Sequence, residues 1–172
     1  LGQAGFVLSC SGVRILVDPY LSDSLAVKYA GQEFPHRRLM PPPVAPEELR
    51  GVDWCLCTHA HSDHMDPGTL PAVAKNNPDC RFVVPLAEVS TALARGVPES
   101  RAVPVDAGET VELGQGATLD VWPSAHEDLA KDDAGHFRYL GYLLRLDGIA
   151  IYHSGDCVPF PGLLQRLAEA RV

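Results

Sequence analysis

The chain has 172 residues, 46% of them apolar, enough to bury one sizeable core, so a single domain over residues 1–172 is expected. Its 22 acidic against 14 basic residues give a formal charge of -8, which repels a polyphosphate backbone and argues against nucleic acid as a partner. No run approaches the roughly 18 consecutive apolar residues of a membrane-spanning helix, and the start lacks the basic-then-apolar pattern of a secretion signal, so a cytoplasmic protein without a membrane partner is expected.

Phe6-Val7-Leu8 and Arg14-Ile15-Leu16-Val17 are short apolar runs about Ser11-Gly12 and predict a hairpin. Asp18-Pro19 closes its second strand, because proline has no N–H to give to a sheet. Residues 21–50 carry few periodic signals and include Pro41-Pro42-Pro43, the pattern of a long surface loop of the kind that borders active sites. Residues 52–57 predict a buried strand, and Asp66-Pro67 a helix start, with Asp as cap and Pro in the first turn. A further strand is expected over 81–84 and a helix over 86–95, ended by Gly96.

From Ala102 the pattern turns to antiparallel β, with strands over 103–105, 110–113, 118–122, 139–146 and 149–152. Asp147-Gly148 is a hairpin signal, since glycine tolerates the positive φ of tight two-residue turns. The last residues, 163–172, read as a helix halted before a next strand. Together with a start at Leu1 instead of Met, this makes the chain read as part of a longer protein. Cys55 and Cys57 alternate inside a strand instead of forming a Cys-x-x-Cys pair, as buried thiols do. Trp54, Trp122, Phe137 and Tyr142 fall in strand-like runs and are expected to fill the core.

The chemistry concentrates in Thr58-His59-Ala60-His61-Ser62-Asp63-His64. His59 and His61 stand two apart at a strand end, so both imidazoles can face one metal. Asp63 and His64 follow at once and, if the chain turns there, reach a second cation on the other side of the same cavity. His126, just past the strand 118–122, suits a third imidazole for the first metal. Asp156, after the strand 149–152, offers a carboxylate that could bridge two metals. A solvated polar turn is the alternative for each residue taken singly; the preceding strand and the density of ligands favour a metal site.

These residues resemble the metallo-β-lactamase superfamily, whose His-x-His-x-Asp-His motif appears as His59-Ala60-His61-Ser62-Asp63-His64. Within it the chain looks most like the L-ascorbate-6-phosphate lactonase branch, on that motif and on Asn76-Asn77-Pro78, Gly96-Val97-Pro98-Glu99-Ser100-Arg101, Gly108-Glu109-Thr110 and Ile151-Tyr152-His153. The resemblance implies an α/β fold of αββα sandwich type, with two divalent metals, zinc first and manganese or iron as alternatives, at one edge between two sheets. It implies that His59, His61 and His126 hold one metal, Asp63 and His64 the other, and that Asp156 bridges them. The family's second half, with the last histidine of the second metal site, does not follow Val172, so an incomplete sandwich is expected; neither His136 nor His153 stands where the family places that ligand.

The expected activity is hydrolysis of a small ester, lactone or phosphoester by a metal-activated water, with Asp63 orienting the water or taking its proton. The alternatives are a nuclease or phosphodiesterase of the same superfamily, against which the negative charge counts, and a metal-binding domain without turnover. Asp18 could brace the metal loop by accepting hydrogen bonds, or simply end a strand. His153 and His136 read either as contacts near the site or as structural residues. His36-Arg37-Arg38 is a short basic cluster on the long loop. A small-molecule substrate is the expected partner, and an uncovered sheet edge would favour homo-oligomers.

Overall fold

A computed structural model describes residues 1–10 and 12–172; Ser11, in the expected first hairpin turn, lies outside the described residues. Strands β2 (Val13–Val17) and β3 (Trp54–Leu56) set the layering of the fold. Successive side chains on a strand face opposite ways. Ile15, Val17, Trp54 and Leu56 therefore join a core with Leu119, Val121, Tyr142 and Leu144, whereas Leu16 and Cys55 join a second core with Leu70, Val73, Phe82 and Ala92. Truncating any of these large buried side chains to alanine costs about 2–5 kcal/mol.

The first core is packed between two sheets. One runs in the order β1 (Phe6–Cys10), β2, β3, β4 (Arg81–Pro85), β5 (Ala102–Val105); β1 is antiparallel to β2 and the other neighbours are parallel. The other is an antiparallel meander of β6 (Thr110–Gly114), β7 (Ala117–Pro123), β8 (Leu140–Leu146) and β9 (Ile149–His153). The second core lies on the outer face of the first sheet, where α2 (Leu70–Asn76) and α3 (Val89–Ala94) contribute Leu70, Val73, Ala74 and Ala92. A short α1 (Ser24–Lys28) stands in the long loop, and α4 (Leu163–Ala170) follows the meander. This is the expected mixed α/β architecture of two facing sheets.

Several local expectations change. The loop over 21–50 contains α1 and a 3-10 turn at Pro46–Glu48. The regular helix foreseen at Asp66-Pro67 begins at Leu70, after a turn that Asp66 opens: its carboxylate accepts the Gly68 amide and Thr69 hydroxyl and its carbonyl the Leu70 amide, while the carboxylate also holds the Ser22 amide and hydroxyl and the Ser24 hydroxyl. The segment 86–95 divides into a 3-10 turn, Leu86–Glu88, and α3. Asp147 and Gly148 both have positive φ (49° and 79°), as the two-residue hairpin between β8 and β9 requires. None of the five cysteines is joined in a disulfide; Cys55, Cys57 and Cys80 are buried and Cys10 and Cys157 are half-buried. Trp54 and Tyr142 are core residues, while Trp122 and Phe137 are only half-buried. Among the described residues no helix is long and apolar enough to cross a membrane.

Candidate metal centre

The histidine cluster begins where β3 leaves its sheet. The Cys57 carbonyl accepts the Tyr142 hydroxyl (2.8 Å) and the Thr58 carbonyl accepts the Leu140 amide (3.0 Å), so the second sheet grips the chain just before His59. The amides of His64 and Met65 both donate to the His61 carbonyl (3.1 and 2.8 Å), closing a tight turn that swings Asp63 and His64 to the far side. Met65, fully buried, anchors that turn in the helical core. Arg95 clamps it from behind by donating to the carbonyls of Ala60 and Met65. A loop held at so many backbone positions keeps its ligand geometry in the absence of a ligand.

Two sets of donor atoms converge within 4.8 Å: His59, His61 and Asp156 form one, and Asp63, His64 and Asp156 the other. Asp156 is common to both, as a bridging carboxylate would be. Its Oδ1 lies 3.1 Å from His64 Nε2, while Asp63 Oδ2 lies 4.0 Å from the same nitrogen. The His126 ring stands 4.7 Å from that of His61 and 6.0 Å from that of His59, beside the first set but outside its convergent donors. Of the sequence-selected residues, five thus converge directly and His126 borders them.

The loop carrying Asp156 is shaped by β7 and by a glycine. The Ser124 hydroxyl donates to the carbonyl of Ser154 (2.7 Å). Gly155 has φ +61°, and a Cβ there would stand 2.9 Å from Thr58 Oγ1. Only glycine lets this turn pass so close to the ligand strand.

Behind the donors, Asp18 organises the imidazoles. It is fully buried, and its carboxylate accepts from the Thr58 amide (2.8 Å), the Thr58 hydroxyl (2.7 Å), His64 Nδ1 (2.8 Å) and His153 Nε2 (2.7 Å). Burial alone would raise its pKa, but the bonds from His153 and His64 hold it ionised, well below the usual carboxylate range. The Thr58 hydroxyl has one proton, and that proton is committed to Asp18. Thr58 Oγ1 must therefore accept from His59 Nδ1 (3.0 Å), which fixes the proton of His59 on Nδ1. His59 Nε2 is then a bare lone pair, buried and without a hydrogen-bond partner among the described residues. Burial and the neighbouring His64 push its pKa down to about 2, so the ring is neutral. Burial and His126 likewise lower the pKa of His61. For His64 burial pulls the pKa down, yet the bond and charge of Asp18 outweigh it and the net shift is upward.

A buried imidazole nitrogen without a partner is rare, because the desolvation cost is uncompensated. A divalent cation fits this donor set: the neutral imidazole of His59 with its proton fixed on Nδ1, His64 with Nδ1 engaged on Asp18 and Nε2 turned toward Asp156, carboxylates opposite, and a buried carboxylate behind.

Asp18 thus has the bracing place, and His153 touches it instead of the donors. His136 bonds Asp132 in a surface turn (3.3 Å) and stays away from the centre. Two residues not selected from sequence border the site. Tyr139 packs against His59, His61 and His126 with ring centroids 5.2, 5.8 and 5.1 Å away. Gln3 donates from Nε2 to Asp63 Oδ2 (3.0 Å). A cleft of about 280 Å³ opens on His61, His126 and Tyr139 and is walled by Glu127 and Asp128.

Two facing sheets with a His-x-His-x-Asp-His loop at their shared edge define a domain of the metallo-β-lactamase class. The model of the Beta-lactamase superfamily domain matches residues 13–172, and the chain belongs to that superfamily. It is similar to a UPF0173 metal-dependent hydrolase of Pyrococcus furiosus, 30% identical over 167 residues that cover 93% of this chain and 61% of that protein. It is also similar to N-acyl-phosphatidylethanolamine-hydrolyzing phospholipase D 1 of Caenorhabditis elegans, 26% identical over 164 residues covering 91% and 45% of the two chains. Isothiocyanate hydrolase from Delia radicum gut bacteria shares the fold, with a TM-score of 0.71 at 23% identity over 98% of this chain and 65% of that one. The chain spans about 60% of the length of the UPF0173 metal-dependent hydrolases it matches, and less than half of the nematode protein.

Proposed function

We propose that this chain carries the centre of a metal-dependent hydrolase acting on an ester, lactone or phosphoester bond of a small substrate. The observation that carries the reading is the buried, unpaired Nε2 of His59, whose tautomer is set through Thr58 by Asp18. His59, His61 and His126 would hold one divalent cation, Asp63 and His64 a second, and Asp156 would face both. Zinc suits the mixed imidazole and carboxylate set, as do manganese and iron. Such a cation, when bound, lowers the pKa of a coordinated water toward neutrality and polarises the scissile oxygen.

The chain's own groups supply the rest. Asp63, half-buried and oriented by Gln3, takes the proton of the attacking water. Asp18 holds His59 and His64 in the tautomers that present Nε2. Tyr139 covers the three imidazoles on one side and limits access to them. Within the superfamily, the sequence elements shared with the L-ascorbate-6-phosphate lactonase branch favour a lactone or related ester; the hydrolysis named for the nematode relative keeps phosphoesters in the class.

The test is elemental analysis of protein purified without chelator, with hydrolysis assays on a simple lactone and on bis(4-nitrophenyl) phosphate. Two metals per chain with turnover of either compound supports the reading, and the preferred compound assigns the bond. Metal-free protein that stays inactive after zinc, manganese or iron is added would overturn it.

A further inference from the structure

Gln3 also lines a second cleft, of about 370 Å³, together with Tyr20, Leu25, His36, Arg37, Arg38 and Met40. Gln3 is its link to the centre, since the residue lines the cleft and its Nε2 donates to Asp63 Oδ2 at 3.0 Å. The volume is at the lower end of the range for small-ligand pockets. The basic cluster of the long loop therefore stands beside the centre.

The wall is built. Arg38 donates to the carbonyl of Tyr20 (2.7 Å) and to those of Met40 (3.3 Å) and Leu1 (3.4 Å), and its guanidinium lies over the Tyr20 ring at 5.0 Å. Tying this loop down further, Asp66 accepts the hydroxyls of Ser22 and Ser24 (2.8 Å each). His36 stacks on Tyr29 with centroids 4.4 Å apart.

No carboxylate closes an ion pair with the arginines of the wall among the described residues. Among these residues neither Arg37 nor Arg38 meets a carboxylate through its guanidinium; Asp23 Oδ1 accepts the Arg38 backbone amide (3.4 Å). A chain of net charge -8 thus lines the cleft that Gln3 joins to Asp63 with two guanidinium groups, whereas the cleft on His61 and His126 is lined by Glu127 and Asp128. This difference in lining charge favours an anionic group in the cleft of Arg37 and Arg38 over the acidic one. Arginine is suited to this, because its planar fork matches the oxyanion of a carboxylate or phosphate.

We infer that this cleft is the specificity subsite of the hydrolase: it takes a carboxylate or phosphate borne by the substrate away from the scissile bond, with Arg37 as its free recognition group and Tyr20, Leu25 and Met40 against the apolar part. The inference rests on the reading of the neighbouring cluster as a hydrolytic centre. Arg38 is committed to backbone carbonyls and positions the wall; Arg37 is exposed and can be exchanged without removing a structural contact.

The test compares two 4-nitrophenyl esters of equal chain length, the glutarate half-ester and the valerate, in metal-loaded wild type, Arg37→Gln and Arg37→Glu. Binding of glutarate and of inorganic phosphate to chelator-treated protein is followed alongside by NMR shifts. The ratio of kcat/KM for the charged over the neutral ester should fall at least tenfold in Arg37→Gln and further in Arg37→Glu. Anion binding should weaken in step, and the tighter of glutarate and phosphate names the natural group. An unchanged ratio, with no anion bound by wild type, overturns the subsite while hydrolysis of both esters upholds the centre. Anion binding lost in both variants, with neither ester hydrolysed, upholds the cleft and overturns the hydrolase reading.

Discussion

Replacing Asp18 by asparagine probes the organisation of the centre with little change in shape. The carboxylate Oδ1 accepts one bond, from the Thr58 amide, and Oδ2 accepts three, from Thr58 Oγ1, His64 Nδ1 and His153 Nε2. Asparagine has one acceptor oxygen, so in either orientation its NH2 group faces a donor; the better orientation sets it against the Thr58 amide alone. One unsatisfied buried donor pair costs about 1–3 kcal/mol. At about 2 kcal/mol, a domain of this size melts about 4–8 °C lower. The lost charge also loosens His64 and, through Thr58, His59, and exchange of such orienting groups lowers metal affinity about 10–100-fold. Asparagine tolerates the positive φ of 41° at this position, so backbone strain adds little. Thermal melting and zinc competition against a fluorescent chelator read the two effects separately. A lower melting point with metal affinity unchanged within twofold would reduce Asp18 to a strand-end brace and refute the tautomer argument.

Asp63→Asn should lower the turnover of metal-saturated protein by about 100-fold or more while leaving the melting point near that of wild type, because Asp63 is only half-buried and bonds Gln3; an unchanged rate would remove its proton-accepting role. Gly155→Ala should destabilise by about 1–3 kcal/mol and weaken metal binding, since φ +61° and a Cβ 2.9 Å from Thr58 Oγ1 force the Asp156 turn away; urea denaturation and the chelator competition would show both, and wild-type behaviour would count against the close approach. Burial pushes the Cys80 thiol up to about 12 from an ordinary value of 9.0. Its contribution is therefore complete below pH 9 and declines as the pH rises toward 12, by about 2 kcal/mol at pH 10.5. Urea denaturation at pH 7.5 and 10.5 should show Cys80→Ala losing less stability than wild type over that interval, and equal losses would contradict the burial effect.

What could be read in the sequence was whatever is encoded locally. Strands β2 and β3 follow from apolar runs, and the turn at Asp147-Gly148 from two residues that accept positive φ. The cluster from His59 to His64 is legible because its ligands are sequence neighbours, and Asp156 because it follows a strand end. Asp66 was legible only in part: it opens the turn before α2 as its local pattern suggested, but its carboxylate also holds Ser22 and Ser24, more than 40 positions away, a tie no local pattern announces. Gln3 carried no signal, since its contact with Asp63 spans 60 positions and exists only once the first sheet has formed. Tyr139 was hidden for a related reason: it begins a strand-like run, yet its ring faces the imidazoles. The basic cluster at His36 to Arg38 was visible as composition, but its place beside the centre depends on how Arg38 is tied to Tyr20 and Leu1.

The ties around Asp18 also explain why a strained residue is kept there. It holds a left-handed φ of 41° at the end of β2, where an ordinary side chain costs free energy, and its charge is fully buried. Both costs are offset because the carboxylate closes a joint: Thr58 reaches it from the end of β3, His64 from the ligand loop and His153 from the end of β9 in the opposite sheet. A buried charge is tolerable when its lone pairs are filled in this way, and costly once one partner is removed. The same group therefore docks one sheet to the other and fixes the protons of His59 and His64. The geometry of the donors is inherited from the packing of the two sheets, so loosening either sheet at this edge disturbs the imidazoles before it disturbs the core.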